Sequence, residues 1–527
     1  MTSADRTPAQ RKAEEAGAEL ERRRRLALAQ GGGERTAAQH AKGRLTARER
    51  IALLVEPDSF VELGQLAHSS RPEIGERAAA DALVTGVGLV DGRKVAIAAV
   101  DSTVLAGTTG WVGTRKQAQL VTLAVRKGYP LVCLGDANGG RIPDLLGSGF
   151  AGVIGDHEGE DFMGFRIEVE RVPRVTAILG NAYGDPALWC AVSDFVVMSD
   201  GSTVGLSGPS LVASSVGERV DHAQLGGPDV VCKTTGLVSQ AGGTEADCID
   251  AIRRFLGYLP SNASLDPPLA APLPPHTDPC RLRQIVPAEL QRAYDMRRVI
   301  DAVVDAGSYF DLRGDYGRSL VTGLARIDGK SVGIVANQPL HQAGVFDAAS
   351  LDKARRMVDL CDDFGLPLVF LEDLPGVMIG VAAERSAVAV RLMELYRRLA
   401  KATVPRVTVV IRKAFGFGWV VMGGAPMGVD FVCAWPTAEI GFMSAANATQ
   451  VLHRKRIAET REREGDAAAD QLAAALEAEL ARDNAPWAAA GHAYIHNVIQ
   501  PEETRQAILD GLFVAQGYRR RSRRPKH

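Results

Sequence analysis

LVTGVGLVDGRKVAIAAVDSTVLAG (83–107) and LVTGLARIDGKSVGIVANQPLHQAG (320–344) are two versions of one segment. Eleven of their 25 positions are identical, at a constant offset of 237. The offset holds further on. Gly128-Tyr-Pro-Leu-Val matches Gly365-Leu-Pro-Leu-Val, Asp136 matches Asp373 and Gly139 matches Gly376. A little later Val172-Pro-Arg-Val-Thr matches Val404-Pro-Arg-Val-Thr, and Ala182-Tyr183-Gly184 falls opposite Ala414-Phe415-Gly416. A repeat this long implies two duplicated domains of one fold.

Within each copy, short β-branched runs alternate with helical stretches. Val95–Val100, Leu131–Leu134 and Val175–Leu179 read as strands, with a helix over Arg115–Arg126. In the second copy Val332–Ala336, Leu368–Leu371 and Val407–Ile411 read as strands, and Leu351–Phe364 and Ser386–Ala402 as helices. Strand–helix–strand alternation builds an α/β layer. Between the copies, Ser261–Arg281 holds six prolines, which remove donors and disfavour helix, so it reads as a semi-rigid linker. The expected organisation is a helical segment over 1–34, a first domain over 35–265, a Pro-rich linker over 266–281 and a second domain over 282–527.

Composition narrows the function. Lys+Arg number 61 and Asp+Glu 63, a net charge of −2 that argues against nucleic-acid binding. Arg22–Arg25 then reads as a solvated helix face or a subunit contact, and the tail Arg519–His527 as a frayed end. No apolar run is long enough to span a membrane, and the polar N-terminus has no signal-peptide pattern, so a cytoplasmic location is expected. Seven scattered cysteines without a CxxC pair predict neither disulfides nor a zinc ribbon. No metal site is expected.

Chemistry is sought at glycine clusters that follow buried strands. These are Gly135–Ile142 and Gly180–Pro186 in the first copy, and Asp373–Gly376 and Arg412–Gly418 in the second. A strand-to-helix turn leaves N–H groups unpaired and can hold an oxyanion. GxGxxG, Walker and GxSxG patterns are absent. Glu372-Asp373 reads first as a capping or ion-paired couple. Two amide-lined cradles suit a reaction with two developing oxyanions, such as carboxyl transfer from a carboxylated urea to a thioester.

The chain resembles the β subunit (carboxyltransferase component) of biotin-dependent acyl-CoA carboxylases. The segments that carry the likeness are 31–64, 315–339, KATVPRVTVVIRKAFG (401–416), DFVCAWPTAEIGFMS (430–444) and VIQPEETRQAI (498–508). The resemblance implies two crotonase-like (ClpP/crotonase) α/β domains, the first holding acyl-CoA and the second biotin. It implies a homo-hexamer or mixed β oligomer, with biotin arriving on a separate α subunit. By this likeness Gly139, Gly140 and Arg141 lie near CoA. The N–H groups around Gly184 and Asp185 hold the thioester enolate, and those at Phe417 and Gly418 the ureido oxygen. Phe415, Gly416, Pro375 and Gly376 shape the biotin site.

Departures from the family pattern cluster at these turns. Asp185 and Pro186 stand where small residues are usual. Asp185 would repel an oxyanion if ionised, and Pro186 has no N–H. Phe417 replaces a glycine and narrows the second turn. Three readings stay open: a carboxylase for an unusual acyl-CoA, a biotin-independent acyl-thioester enzyme (acyl transfer, decarboxylation or condensation), or a non-catalytic assembly subunit.

Overall fold

The computed structural model describes residues 7–147, 150, 161, 163–165 and 171–516. The chain divides into two compact units, the first ending at Leu265 and the second starting at Asp266. The basic tail lies outside the described residues.

The first unit carries strands β1 (Val61–Leu63), β2 (Leu83–Val90), β3 (Arg93–Val100), β4 (Leu131–Asn138), β5 (Arg174–Tyr183), β6 (Phe195–Met198), β7 (Thr203–Gly205) and β8 (Gln240–Ala241). They form one sheet in the order β1-β2-β3-β4-β5-β6-β8, with β7 on the end of β5. The second unit repeats the pattern with β9 (Phe310–Asp311), β10 (Leu320–Ile327), β11 (Lys330–Asn337), β12 (Leu368–Leu374), β13 (Arg406–Phe415), β14 (Phe431–Ala434), β15 (Glu439–Gly441) and β16 (Asn497–Val498). Its order is β16-β14-β13-β12-β11-β10-β9, with β15 on the end of β13.

The duplication extends to the register. Leu83 faces Val100 in the β2–β3 hairpin, and Leu320 faces Asn337 in the β10–β11 hairpin. Ala96 pairs with Leu131 across the parallel β3–β4 ladder, and Gly333 with Leu368 across β11–β12. The crossover helices, Trp111–Lys127 and Ala348–Phe364, are also 237 apart. Each stops at a glycine in the left-handed region, Gly128 at φ 69° and Gly365 at φ 77°, where an L side chain is strained. Leu120, Val121, Ala124 and Val125 of the first helix pack on Ala96, Ala98 and Leu131 of the sheet. That buried apolar surface stabilises the layer at roughly 25 cal/mol per Å².

Two expectations need adjustment. The glycine clusters begin inside strands: β4 continues to Asn138, β5 to Tyr183 and β13 to Phe415, so the turns are confined to Gly139–Gly140, Gly184 and Gly416. Parallel neighbours on both sides override the weak strand propensity of Gly135 and Gly180. The helix expected over Ser386–Ala402 is found at Val388–Lys401, and a separate short helix, Val381–Arg385, precedes it across Ala387 at φ 55°. The proline-rich stretch is no free spacer. Ala270 N–H donates to Gly329 C=O at 2.9 Å, Ala306 N–H to Pro274 C=O at 3.0 Å and Thr277 N–H to Asp301 C=O at 3.2 Å. These bonds bind the stretch along the second unit.

At the N-terminus, helix Pro8–Leu28 opens with a Thr7–Gln10 capping box. Its arginines are matched by acids: Arg22 pairs with Glu19 and Glu76, Arg23 with Glu19 and Arg24 with Glu21. All seven cysteines are free thiols, six of them buried. Among the described residues no helix is long and apolar enough to cross a membrane.

Candidate functional site

In the first unit two turns meet. After β4 the chain turns through Gly139, at φ 87°, into Gly140. Thr109 N–H donates to Gly139 C=O at 3.0 Å, and Arg141 N–H donates to Thr109 C=O at 2.7 Å, which pins this turn to the start of the crossover helix. After β5, Gly184 adopts φ 80° and ψ −123°, then helix Asp185–Val192 begins. Only glycine enters that backbone region without strain. A Cβ built on Gly184 would stand 3.4 Å from the Gly139 Cα, so the two turns are in van der Waals contact.

The chemistry of these turns is in the main chain. The Gly184 N–H is taken by Gly205 C=O at 3.1 Å, whereas the Asp185 N–H meets no acceptor among the described residues. As the first residue of a helix, Asp185 has no intrahelical partner for that donor. Pro186, at the second position, gives up a donor that the helix does not use. The proline is therefore compatible with the turn. Burial pushes the Asp185 carboxyl above the usual carboxylate range, and a hydrogen bond from Thr109 partly opposes the shift. The neutral form is favoured relative to a solvated aspartate, which weakens the repulsion expected from the sequence.

Arg141 is buried and engaged. Its guanidinium donates to Asp81, to Asp144 at 3.1 Å and to Thr108 C=O at 2.9 Å. It fixes the Gly139–Gly140 turn rather than presenting a solvated cation to a phosphate.

The second unit builds the same pair of turns. Phe346 N–H donates to Gly376 C=O at 3.1 Å, and Met378 N–H to Phe346 C=O at 2.8 Å, repeating the Thr109 arrangement at an offset of 237. Gly376 has φ 135° and Gly416 φ 64°. A Cβ on Gly418 would lie 2.6 Å from Leu374 Cδ2 and 3.5 Å from the Gly376 carbonyl carbon, so these turns also touch. The N–H groups of Phe417 and Gly418 meet no acceptor among the described residues. Phe417 is 44% exposed, and its ring rests 5.6 Å from that of Tyr396. Phe415, by contrast, is buried at the end of β13, so its side chain supports the turn from below. Pro375 and Gly376 are half-buried beside it.

The adjacent acids separate. Asp373 receives Arg412 at 2.9 Å and Lys413 at 3.2 Å, all three buried. Glu372, also fully buried, finds no partner for either oxygen among the described residues, and desolvation holds its carboxyl well above the ordinary range. Asp373 is thus ion-paired as expected from the sequence, and burial favours the neutral form of Glu372. Sequence reading also passed over Asp81, Lys116, Gln117 and Trp189, which surround the first pair of turns; no motif marks them. Among the described residues no group of three His, Cys, Asp or Glu is placed to hold a metal.

The model of the carboxyl transferase domain matches residues 38–527. The biotin-dependent acetyl-/propionyl-coenzyme A carboxylase beta5 subunit of Mycobacterium tuberculosis is 37% identical, with 94% of this chain and 91% of that protein covered. The propionyl-CoA carboxylase carboxyltransferase subunit of Haloferax mediterranei is 34% identical, covering 97% and 98%. The methylmalonyl-CoA decarboxylase subunit alpha of Veillonella parvula is 34% identical, covering 94% and 95%. Among solved structures, the transcarboxylase 12S hexamer with methylmalonyl-coenzyme A bound superposes with a TM-score of 0.86 at 32% identity, over 98% of each chain.

Proposed function

This chain belongs to the carboxyl transferase family, and from that premise we propose that it moves a carboxyl group from carboxybiotin to the α-carbon of an acyl-CoA. The observation that carries the reading is the doubled turn pair, Thr109 with Gly139–Gly140 and Phe346 with Gly376–Val377, each beside a glycine turn with an unpaired N–H. Biotin, carried on a separate subunit, supplies the carboxyl group in activated form, and no metal is required of this chain. The small groups at Gly184 and Gly416 leave main-chain donors accessible, which fits a thioester oxygen and a ureido oxygen.

The first domain, 35–265, takes the acyl-CoA, and the second, 282–527, takes biotin. The N–H of Asp185 holds the thioester oxygen as charge gathers on it. Gly139 and Gly140 lie against that turn, with Arg141 anchoring them from behind. The N–H groups of Phe417 and Gly418 hold the ureido oxygen while the carboxyl leaves, with Gly416, Phe415, Pro375 and Gly376 shaping the surround. A donor aimed at a developing oxyanion contributes about 3–4 kcal/mol to barrier lowering. No side-chain nucleophile is needed; orientation and charge stabilisation do the work. The chain acts in the cytoplasm as an oligomer with its biotin-carrying partner.

The test is carboxylation of short acyl-CoA esters by the purified chain with a biotin-loaded carrier, ATP, bicarbonate and a biotin carboxylase. Labelled bicarbonate should enter the thioester. A second reading is decarboxylation without biotin, since Phe417 puts a large side chain, packed on Tyr396, at the second turn. Loss of CO₂ from methylmalonyl-CoA by the chain alone, with no fixation when the carrier is added, would establish that reading instead.

A further inference from the structure

Beneath the Gly184–Asp185 turn lies a cavity of about 20 Å³, enough for a water-sized group. Its lining includes Asp81, Thr109, Gln117, Cys133, Asp185 and Trp189. Gln117 and Trp189 are buried, and Gln117 Nε2 and Trp189 Nε1 have no hydrogen-bond acceptor among the described residues. A buried donor left so is unfavourable, because it has given up water and gained nothing in exchange. The Cys133 thiol is pushed up to about 12 by burial, so it supplies no thiolate.

The wall is held in strain. Ala80, Asp81 and Ala82 take φ values of 51°, 52° and 60°, three successive non-glycine residues in the left-handed region. Arg141 and the Gly113 N–H grip Asp81, while Lys116 Nζ donates to the carbonyls of Ala80 and Leu83. Strain of this kind persists only where surrounding bonds enforce it, and it collects at functional sites. The fold does not demand a polar lining. Positions equivalent to Gln117, Cys133 and Trp189 in the second unit are Ala354, Phe370 and Val421, all buried and apolar.

We propose that this cavity is the acyl end of the thioester site and selects a short acyl-CoA that carries a hydroxyl group. The inference rests on the carboxyltransferase reading and narrows its substrate. A hydroxyl oxygen accepts from Gln117 Nε2 and Trp189 Nε1 and donates its proton to the Asp185 carboxyl. A methyl group in the same place leaves the Gln117 and Trp189 donors unsatisfied, and sites built to bind a hydroxyl reject the analogue that lacks it.

The test is calorimetric binding of two isosteric pairs to the full-length chain: 3-hydroxypropionyl-CoA against butyryl-CoA, and glycolyl-CoA against propionyl-CoA. At least one hydroxy ester should bind ~10-fold or more tightly than its partner. Gln117→Leu and, independently, Trp189→Phe should erase that ratio by weakening binding of the hydroxy ester. Equal affinities within both pairs for the unaltered chain overturn the inference and leave the carboxyltransferase reading standing. A persistent hydroxyl preference in both variants also overturns it. Failure of all four esters to bind overturns it together with the carboxyltransferase reading.

Discussion

Lys353 donates from its buried ammonium to the carbonyl of Leu320 at 2.7 Å. It holds Tyr316 C=O as well, at 2.9 Å. Lys116, 237 positions earlier, makes the same bond to Leu83 and a second to Ala80 C=O. In both units a lysine on the crossover helix thus ties down the start of the central hairpin. Burial drives the Lys353 pKa down to about 7 and that of Lys116 to about 8. Neither main-chain carbonyl cluster replaces the hydration an ammonium loses.

These lysines give the stability a pH dependence. Below about 7 the native and unfolded chains both carry the Lys353 charge, and the full desolvation cost is present. Between about 7 and the unfolded value near 10.4, the unfolded chain holds a proton that the native chain lacks. Stability therefore rises with pH across that window. Thermal unfolding from pH 7 to 9.5 should show Tm increasing, and Lys353→Met should flatten the slope. A slope that survives Lys353→Met unchanged counts against a proton lost from this site.

Asp373 compensates two buried cations, Arg412 and Lys413. Asp373→Asn removes the anion and leaves both charges in a dry interior. We expect a loss of about 3–5 kcal/mol in denaturant unfolding of the full chain. A loss below about 1 kcal/mol would mean that the carbonyls of Pro287, Glu289 and Arg292 around Arg412 suffice without the carboxylate.

Gly184→Ala has room for its methyl, since the nearest atom is 3.4 Å away, but not the backbone freedom for φ 80° and ψ −123°. The fold should survive with a cost of about 1–3 kcal/mol. The Asp185 N–H, however, moves off its aim. Carboxylation should fall roughly 100-fold. Retention of full activity would show that this amide does not bind the thioester oxygen.

Asp185 predicts a pH limb in the rate. While neutral it tolerates a negative oxygen beside it, and once ionised it repels one. Its pKa is raised by burial, so kcat/KM for the thioester should decline as pH climbs through that raised value. Asp185→Asn keeps the shape and removes the charge. The pH–rate profile of the variant should lose this decline, and an identical profile would assign the limb to another group.

Much of the fold was legible beforehand. The repeat between 83–107 and 320–344 gave two copies, and the β-branched run Val332–Ala336 marked a strand that the structure extends by two residues at its start and one at its end. Such features depend on local pattern, which a linear reading sees. The site was legible only as places. Gly139, Gly184 and Gly376 stood out because turns need glycine. That Gly184 abuts Gly139 follows from the parallel pairing of β4 with β5, which brings together residues 45 apart.

The amino-acid order by itself settled the duplication, the alternating α/β elements and the position of each glycine turn, because neighbouring residues determine periodicity and backbone freedom. Only the tertiary structure decided which polar groups are matched. Arg141 is drawn inward by Asp81, Glu372 has no partner among the described residues beside a paired Asp373, and Gln117 and Trp189 face one cavity from two helices. Burial and pairing are properties of distant segments brought together, and no spacing along the chain encodes them.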